Sequence, residues 1–331
     1  MNLHILSKKA SYYARCVATD LICQLGGRTA LLREQEGACI LLYHGIDFVN
    51  NTRLNARFLA QKKLHQQLSY CKEHFHILSL EDYFQGNFAP GRMNIAITFD
   101  DGYLNNLELA LPVLEDLQVP ATFFVTAIDS TPYPMLWTDY LDLVNFRYQH
   151  TVSIQGEVFE HRKREYFNTK NESLKAVCKR KDWTFKSSIY STFPELVNDP
   201  VYEAYKMYWQ VMNAAQIRQL AASPWASVGS HGYYHDDLGE LPLEKAVELL
   251  QKGKNYLEEA LDQSIHSLAY PNGSYTPTLV NAAKQLGFEQ QLVVNFQQAA
   301  DQDIPEIRSR LTINPFVSLD NQIRAILRGD Y

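Results

Sequence analysis

Residues 93–106 read MNIAITFDDGYLNN. The first seven form a short apolar, β-prone run bounded by turn residues, the signature of a buried strand. That strand hands over directly to Asp100, Asp101 and Gly102. Adjacent carboxylates repel unless something positive sits between or beside them, so a cation is one reason to place two of them at a strand end. A helix N-cap or an Asp-Gly turn would produce the same letters without any chemistry.

The same rhythm continues on both sides. ACILLYHG (38–45), ATFFVT (121–126), WASVGS (225–230), SLAY (267–270), QLVV (291–294) and RLTIN (310–314) read as strands. RFLAQKKLHQQLSYCKEH (57–74), NLELALPVLEDLQ (106–118), LEKAVELLQKGKNYLEEAL (243–261) and PTLVNAAKQLG (277–287) read as helices. Strand followed by helix, repeated, predicts parallel pairing in a doubly wound sheet or a barrel. In either architecture chemistry gathers at the C-terminal strand ends. His44, Asp100, Asp101 and His231 all follow strands in this way, which puts them on one rim.

Residues 131–215 break the alternation with aromatic and basic stretches such as FRYQHTVSIQGEVFEHRKREYF. They are read as an inserted subdomain or lid, dividing the chain into an N-terminal helical segment (1–37), a first barrel part (38–130), the insertion and a second barrel part (216–331). The opening segment can form an amphipathic helix with Leu3, Leu6, Ala10, Tyr13, Val17 and Leu21 near one face. Packing on the parent domain is its commoner fate, with peripheral membrane contact as the alternative.

Composition limits the function classes. The 331 residues are 46% hydrophobic and 21% charged with a formal net charge of −6, which fits a globular protein and gives no basic footprint for nucleic acid. Five scattered cysteines without a CxxC pair suggest reduced thiols in a cytoplasmic setting. The N-terminal stretch lacks the features of a signal peptide, and no apolar run is long enough to span a bilayer.

His231 and His235 are spaced to bring two imidazoles to one cation, and Asp101 is the candidate third ligand. An HxxxH pair alone is more often structural. With a metal present, however, the doubled aspartate gains a reason: one carboxylate binds the cation while its neighbour accepts a proton from water.

Together, TFDDGY, SHGYYH and LAYPNGSY resemble the polysaccharide deacetylase family (carbohydrate esterase family 4, the NodB homology domain) over about residues 38–130 and 215–325. The resemblance implies an α/β fold, an irregular (β/α)7-type barrel, and metal-dependent hydrolysis of N-acetyl groups on sugars. It implies Asp100 as general base and Asp101, His231 and His235 as ligands of a divalent ion, with zinc the best match. It also places the backbone N–H of Asn272 near the developing oxyanion. Carbohydrate or glycolipid becomes the expected partner, with a cytoplasmic location, either free or peripheral to the inner membrane face.

The chain also departs from the family pattern. Ala269 stands where many members carry an arginine that orients the base, leaving Arg308 or Arg310 as replacements. No acid histidine follows the late leucine in RSRLTINPF. His44, in LLYHGI, resembles an early Tyr-His pair of some members and is a candidate substrate or catalytic contact, with a structural hydrogen bond as the plainer role. Tyr103, Trp137 and Tyr275 are candidate sugar-stacking surfaces, with core packing at least as common a role for aromatic residues in such positions, and His266, which precedes its strand, belongs to the opposite end. A deformylase or amidase, or a metal-containing carbohydrate-binding protein without catalysis, are the alternative functions.

Overall fold

A computed structural model describes residues 3–27, 36–49, 51–52 and 54–331, with side chains from residue 11 onward. The side chains of Leu3, Leu6 and Ala10, three of the apolar positions expected on the opening helix, therefore lie outside the described residues. The helix itself, α1, spans Leu3–Ile22.

The main sheet strands are β1 (Gly37–Tyr43), β2 (Met93–Phe99), β3 (Ala121–Val125), β4 (Ala226–Ser230), β5 (Ser267–Ala269), β6 (Gln290–Val293), β7 (Ile307–Ser309) and β8 (Leu311–Thr312). They pair in the spatial order β7-β6-β5-β4-β3-β2-β1-β8. All these ladders are parallel. The two ends of this order are consecutive in the chain, joined through Arg310. One bent strand, Ile307–Thr312, pairs with β6 along its first half and with β1 along its second. The sheet thus forms a nearly closed, seven-stranded (β/α) barrel, and a further short strand, His76–Ile77, runs beside the start of β2.

Strand alternation sorts the side chains. Ile40, Ala96, Phe124, Ala269 and Leu292 form a small cluster inside the barrel, joined by Leu78, Leu80 and Tyr83. Their neighbours Leu41, Ile95, Ile97, Phe123, Leu268 and Val293 belong to the larger core outside it. Helix α2 (Gln61–His74) contributes Leu64, Leu68 and Cys71 to that core. Helix α3 (Leu243–Leu261) adds Ala246, Leu249, Leu250 and Leu257, the three-and-four spacing of one helix face. Each large apolar side chain buried in this way contributes about 1.5–3 kcal/mol.

Three local differences from the sequence reading bear on the site. The helix expected from residue 57 begins only at Gln61, because Leu59–Ala60 pairs as a short parallel strand with Ile46–Asp47. Phe58 is driven into the gap above Gly45, where any Cβ would strike its ring. The helix at 106–118 opens as a π-turn, Asn106–Ala110, before Leu111–Leu117; Pro112 lacks the N–H that a regular ladder needs there. The strand RLTIN is broken at Arg310.

Residues between Met135 and Trp209 build a second set of buried contacts. A three-stranded antiparallel sheet, Val152–Ile154, Glu157–Arg162 and Glu165–Asn168, packs there with helices Trp137–Arg147 and Trp183–Thr192. The five cysteines are all free thiols. Among the described residues no helix is long and apolar enough to cross a membrane.

Candidate active site

The hydrophobic run of β2 delivers Asp100 to the mouth of the barrel. Its N–H donates to the Tyr43 carbonyl at 3.0 Å, extending the strand pairing by one residue. The parity of Ala96 and Thr98 turns its side chain inward. The chain then reverses, with φ of +76° at Asp101 and +74° at Gly102. A Cβ on Gly102 would lie 2.8 Å from Val125 Cγ1, so both the turn and the close approach require glycine. This reversal sends the adjacent carboxylates to different partners.

Asp100 faces Arg310. Two N–H groups of the guanidinium reach Asp100 Oδ1 and Oδ2, both at 2.7 Å, in the forked geometry that arginine alone provides. A further contact, 3.3 Å, goes to Thr98 Oγ1. Burial by itself would raise the Asp100 pKa; Arg310, with His231 beside it, outweighs that and holds the carboxyl below the usual range. Of the two arginines expected as replacements, Arg310 takes this place. Arg308 instead donates to the carbonyls of Pro305 and Ile307 and lies over the Phe84 ring.

Asp101 faces the histidines. The N–H of His231 donates to the Val125 carbonyl, fixing the residue at the end of β4, and His235 follows in a loop that passes through φ of +63°. The Nε2 atoms of His231 and His235 lie 3.4 and 3.2 Å from Asp101 Oδ1. Among the described residues these three form the group able to hold a metal ion, their ligand atoms all within 4.8 Å of one another. His231 Nδ1 sits 2.8 Å from the Ala269 carbonyl. Donation from Nδ1 leaves the lone pair on Nε2, the arrangement of a metal-ligating histidine. Both Asp101 oxygens are buried without a hydrogen-bond donor, a costly state unless a cation occupies the space between these groups. The donor set and the orphaned oxygens together fit a divalent ion. Burial opposes ionisation of Asp101, but Arg57 and the two histidines hold its pKa well below the usual range. Burial likewise lowers the His235 pKa and favours the neutral ligand form.

His44 continues the inward parity of β1. Its imidazole is buried, and burial followed by the Arg57 charge pushes its pKa down to about 3, against the opposing pull of Asp101 and Asp100. It is therefore neutral at ordinary pH. Its carbonyl accepts from Asn106 Nδ2 at 2.8 Å. Asn272 lies in the turn Pro271–Gly273 just beyond β5, at φ of +55°. Since the His231 ring is anchored on β5, this turn is on the same rim. His266 precedes β5 and sits at its other end.

Two groups were missed in the sequence. Arg57 NH1 lies 3.6 Å from Asp101 Oδ2, and it reaches the site because the chain there is a turn leading into the strand Leu59–Ala60, not the first turn of a helix. Lys186, fully buried, donates to Asp236 Oδ1 at 2.7 Å and lies 3.9 Å from Asp237 Oδ2. With Trp137 Nε1 donating to the His235 carbonyl at 3.0 Å, it ties the 135–209 segment to the loop carrying the second histidine. Of the two readings of Tyr103, Trp137 and Tyr275, sugar stacking and core packing, the structure takes the second: all three are buried. Tyr103 is engaged with Asp139 and Tyr275 with Asp301.

Comparison with known proteins agrees with this fold. The chain is similar to a Streptococcus pyogenes deacetylase, PplD, solved in complex with acetate, at 18% identity and a TM-score of 0.58, covering 87% of this chain and 97% of the other. It is similar to IcaB from Ammonifex degensii at 19% identity and a TM-score of 0.56, covering 89% and 98%. A de-N-acetylase from Aggregatibacter actinomycetemcomitans aligns at 14% identity and a TM-score of 0.52, covering 87% and 99%. No curated protein sequence matches the chain. The family model for polysaccharide deacetylase matches residues 89–291, more than half of the sequence. The chain belongs to the polysaccharide deacetylase family.

Proposed function

We propose that this chain is a divalent-metal-dependent hydrolase that removes N-acetyl groups from an amino sugar in a polysaccharide or glycolipid precursor. The observation that carries the reading is the convergence of Asp101, His231 and His235 beside a carboxylate, Asp100, that is locked by Arg310.

Asp101, His231 and His235 would hold the cation, and two imidazoles with one carboxylate suit zinc. When bound, such an ion polarises the acyl carbonyl and lowers the pKa of water in the site. Asp100 accepts the proton of the attacking water. Its two oxygens each use one lone pair on Arg310 and keep another for this. Because Arg310 holds the pKa low, the base is ionised before substrate arrives. The main-chain N–H of Asn272 donates to the oxygen that gains charge, a role that depends on backbone direction and little on the side chain. His44, neutral and facing the same mouth, is assigned contact with the substrate, and the proton that Asp100 takes from water is the one returned to the departing amine.

The Streptococcus pyogenes neighbour, a deacetylase solved in complex with acetate, supports acetyl as the group removed. The test is product analysis with acetylated and formylated amino sugars and their oligomers. Acetate release that disappears in Asp100→Asn supports the proposal. Formate release alone, or sugar binding with no turnover of any substrate, overturns it.

A further inference from the structure

Large apolar side chains stand exposed along one side of the molecule. On α1, Tyr13, Val17 and Leu21 recur at four-residue spacing, one helix face, and are 65%, 66% and 55% exposed. Ile22 and Leu25 extend the strip. The opposite face is the one bound to the barrel. Asn321 Nδ2 donates to the Cys16 carbonyl and to Asp20 Oδ1, and Asn314 Nδ2 donates to the Tyr12 hydroxyl.

Position relative to the mouth follows from the same contacts. Helix α4 (Leu319–Arg328) opens at Ser318, shortly after the chain leaves the C-terminal end of β8. Asp20 meets Ser318 and Asn321 there, so α1 brings Leu21, Ile22 and Leu25 to the catalytic end of the barrel. Phe48 and Val49, on the loop leaving β1, and Phe316, on the loop leaving β8, are exposed too. These two strands are paired neighbours, and the loop from β1 is the one that carries His44 and Arg57.

Charge on this side runs against the net −6 of the chain. Asp20, the only acid in residues 3–27, is turned toward α4. Arg15 and Arg328 are exposed, with Arg324 close to both. Burial and these two neighbouring guanidinium groups pull the Arg324 pKa below its ordinary value, with Asp330 opposing. A helix strip of exposed apolar side chains with the guanidinium groups of Arg15 and Arg328 beside it is the form that lies in a lipid–water interface.

We propose that this face of α1, together with Phe48, Val49 and Phe316, docks the protein on an anionic lipid bilayer with the catalytic mouth beside the lipid surface. The docking stands apart from the reaction. Its consequence, that the amino sugar is presented on a lipid carrier, rests on the deacetylase reading.

The test uses the full chain, sedimented with vesicles of phosphatidylcholine alone and of phosphatidylcholine with equimolar phosphatidylglycerol. Binding to the anionic vesicles, weakened by salt, is expected. Val17→Glu/Leu21→Glu should lower the partition coefficient by about tenfold for each apolar side chain lost, and Arg328→Glu by about fivefold or more. The thermal midpoints of these variants should stay at the wild-type value, since the altered side chains face solvent. Wild-type protein left in the supernatant, or Val17→Glu/Leu21→Glu binding like wild type, overturns the proposal. A concentration-dependent dimer that the same double variant abolishes assigns the face to a second copy and overturns it equally. Vesicle binding is read without turnover, so its failure is separable from a failure to release acetate.

Discussion

Arg310→Met removes one half of a buried ion pair. The guanidinium and the Asp100 carboxylate are 0% and 4% exposed and joined by two 2.7 Å contacts, so water cannot replace the lost donors. Left charged, the carboxylate would cost the fold about 3–5 kcal/mol. Protonation relieves that cost, and removing an adjacent opposite charge raises a carboxyl pKa by about 1–3 units. The sign follows directly. Arg310 holds Asp100 below its ordinary pKa, so in wild type the base stays ionised well into the acid range. In Arg310→Met the acid limb of kcat/KM for acetate release should therefore move to higher pH by about 1–3 units. Stability changes in the same sense: the contribution of ionised Asp100, present above the unfolded carboxyl pKa and lost as pH falls through the depressed folded value, is largely gone. Arg310→Lys keeps the charge but loses the fork, and should shift the limb less. The assay is a pH profile of kcat/KM with metal content measured in parallel. An Arg310→Met acid limb that superimposes on wild type at equal metal content would refute the reasoning.

Lys186→Met should destabilise by about 3–5 kcal/mol, because it strands the buried Asp236 carboxylate, and should weaken metal binding by about 10–100-fold through the His235 loop. Thermal unfolding and metal competition check this. Wild-type metal affinity in Lys186→Met would show that the ion pair is structural only. Gly102→Ala should cost about 2 kcal/mol or more, from the left-handed backbone and the contact with Val125; an unchanged melting temperature would contradict the tight turn described for Asp101 and Gly102.

Much of the barrel was readable because its strands are buried on both faces and appear as continuous apolar runs, as MNIAITF does. The residue that follows such a run is automatically on the rim, which is why Asp100, Asp101, His44 and His231 could be named together. Arg57 was hidden by a local override: its surroundings have helical periodicity, yet pairing of Leu59–Ala60 with Ile46–Asp47 keeps the helix from starting before Gln61 and leaves Arg57 in a turn. Arg310 could not be separated from Arg308 because the break in that strand is imposed by barrel closure, a long-range constraint with no local signal. Lys186 lies in a stretch whose basic residues look like a solvated face, and only tertiary contact with Asp236 reveals it as buried. For Trp137, Tyr103 and Tyr275 the letters left two roles open, since aromatic residues at loop starts serve the core as readily as a ligand, and only their tertiary burial separates the two.

The central claim is that Asp101, His231 and His235 hold a metal ion while Asp100 acts as the base. The most direct measurement is metal stoichiometry together with acetate release from N-acetylglucosamine oligomers, for wild type, His231→Ala and Asp100→Asn. The account predicts about one ion per chain in wild type and Asp100→Asn, its loss in His231→Ala, and no measurable acetate from either variant. Wild-type protein that binds no divalent metal, or a His231→Ala variant that retains both metal and activity, would contradict it.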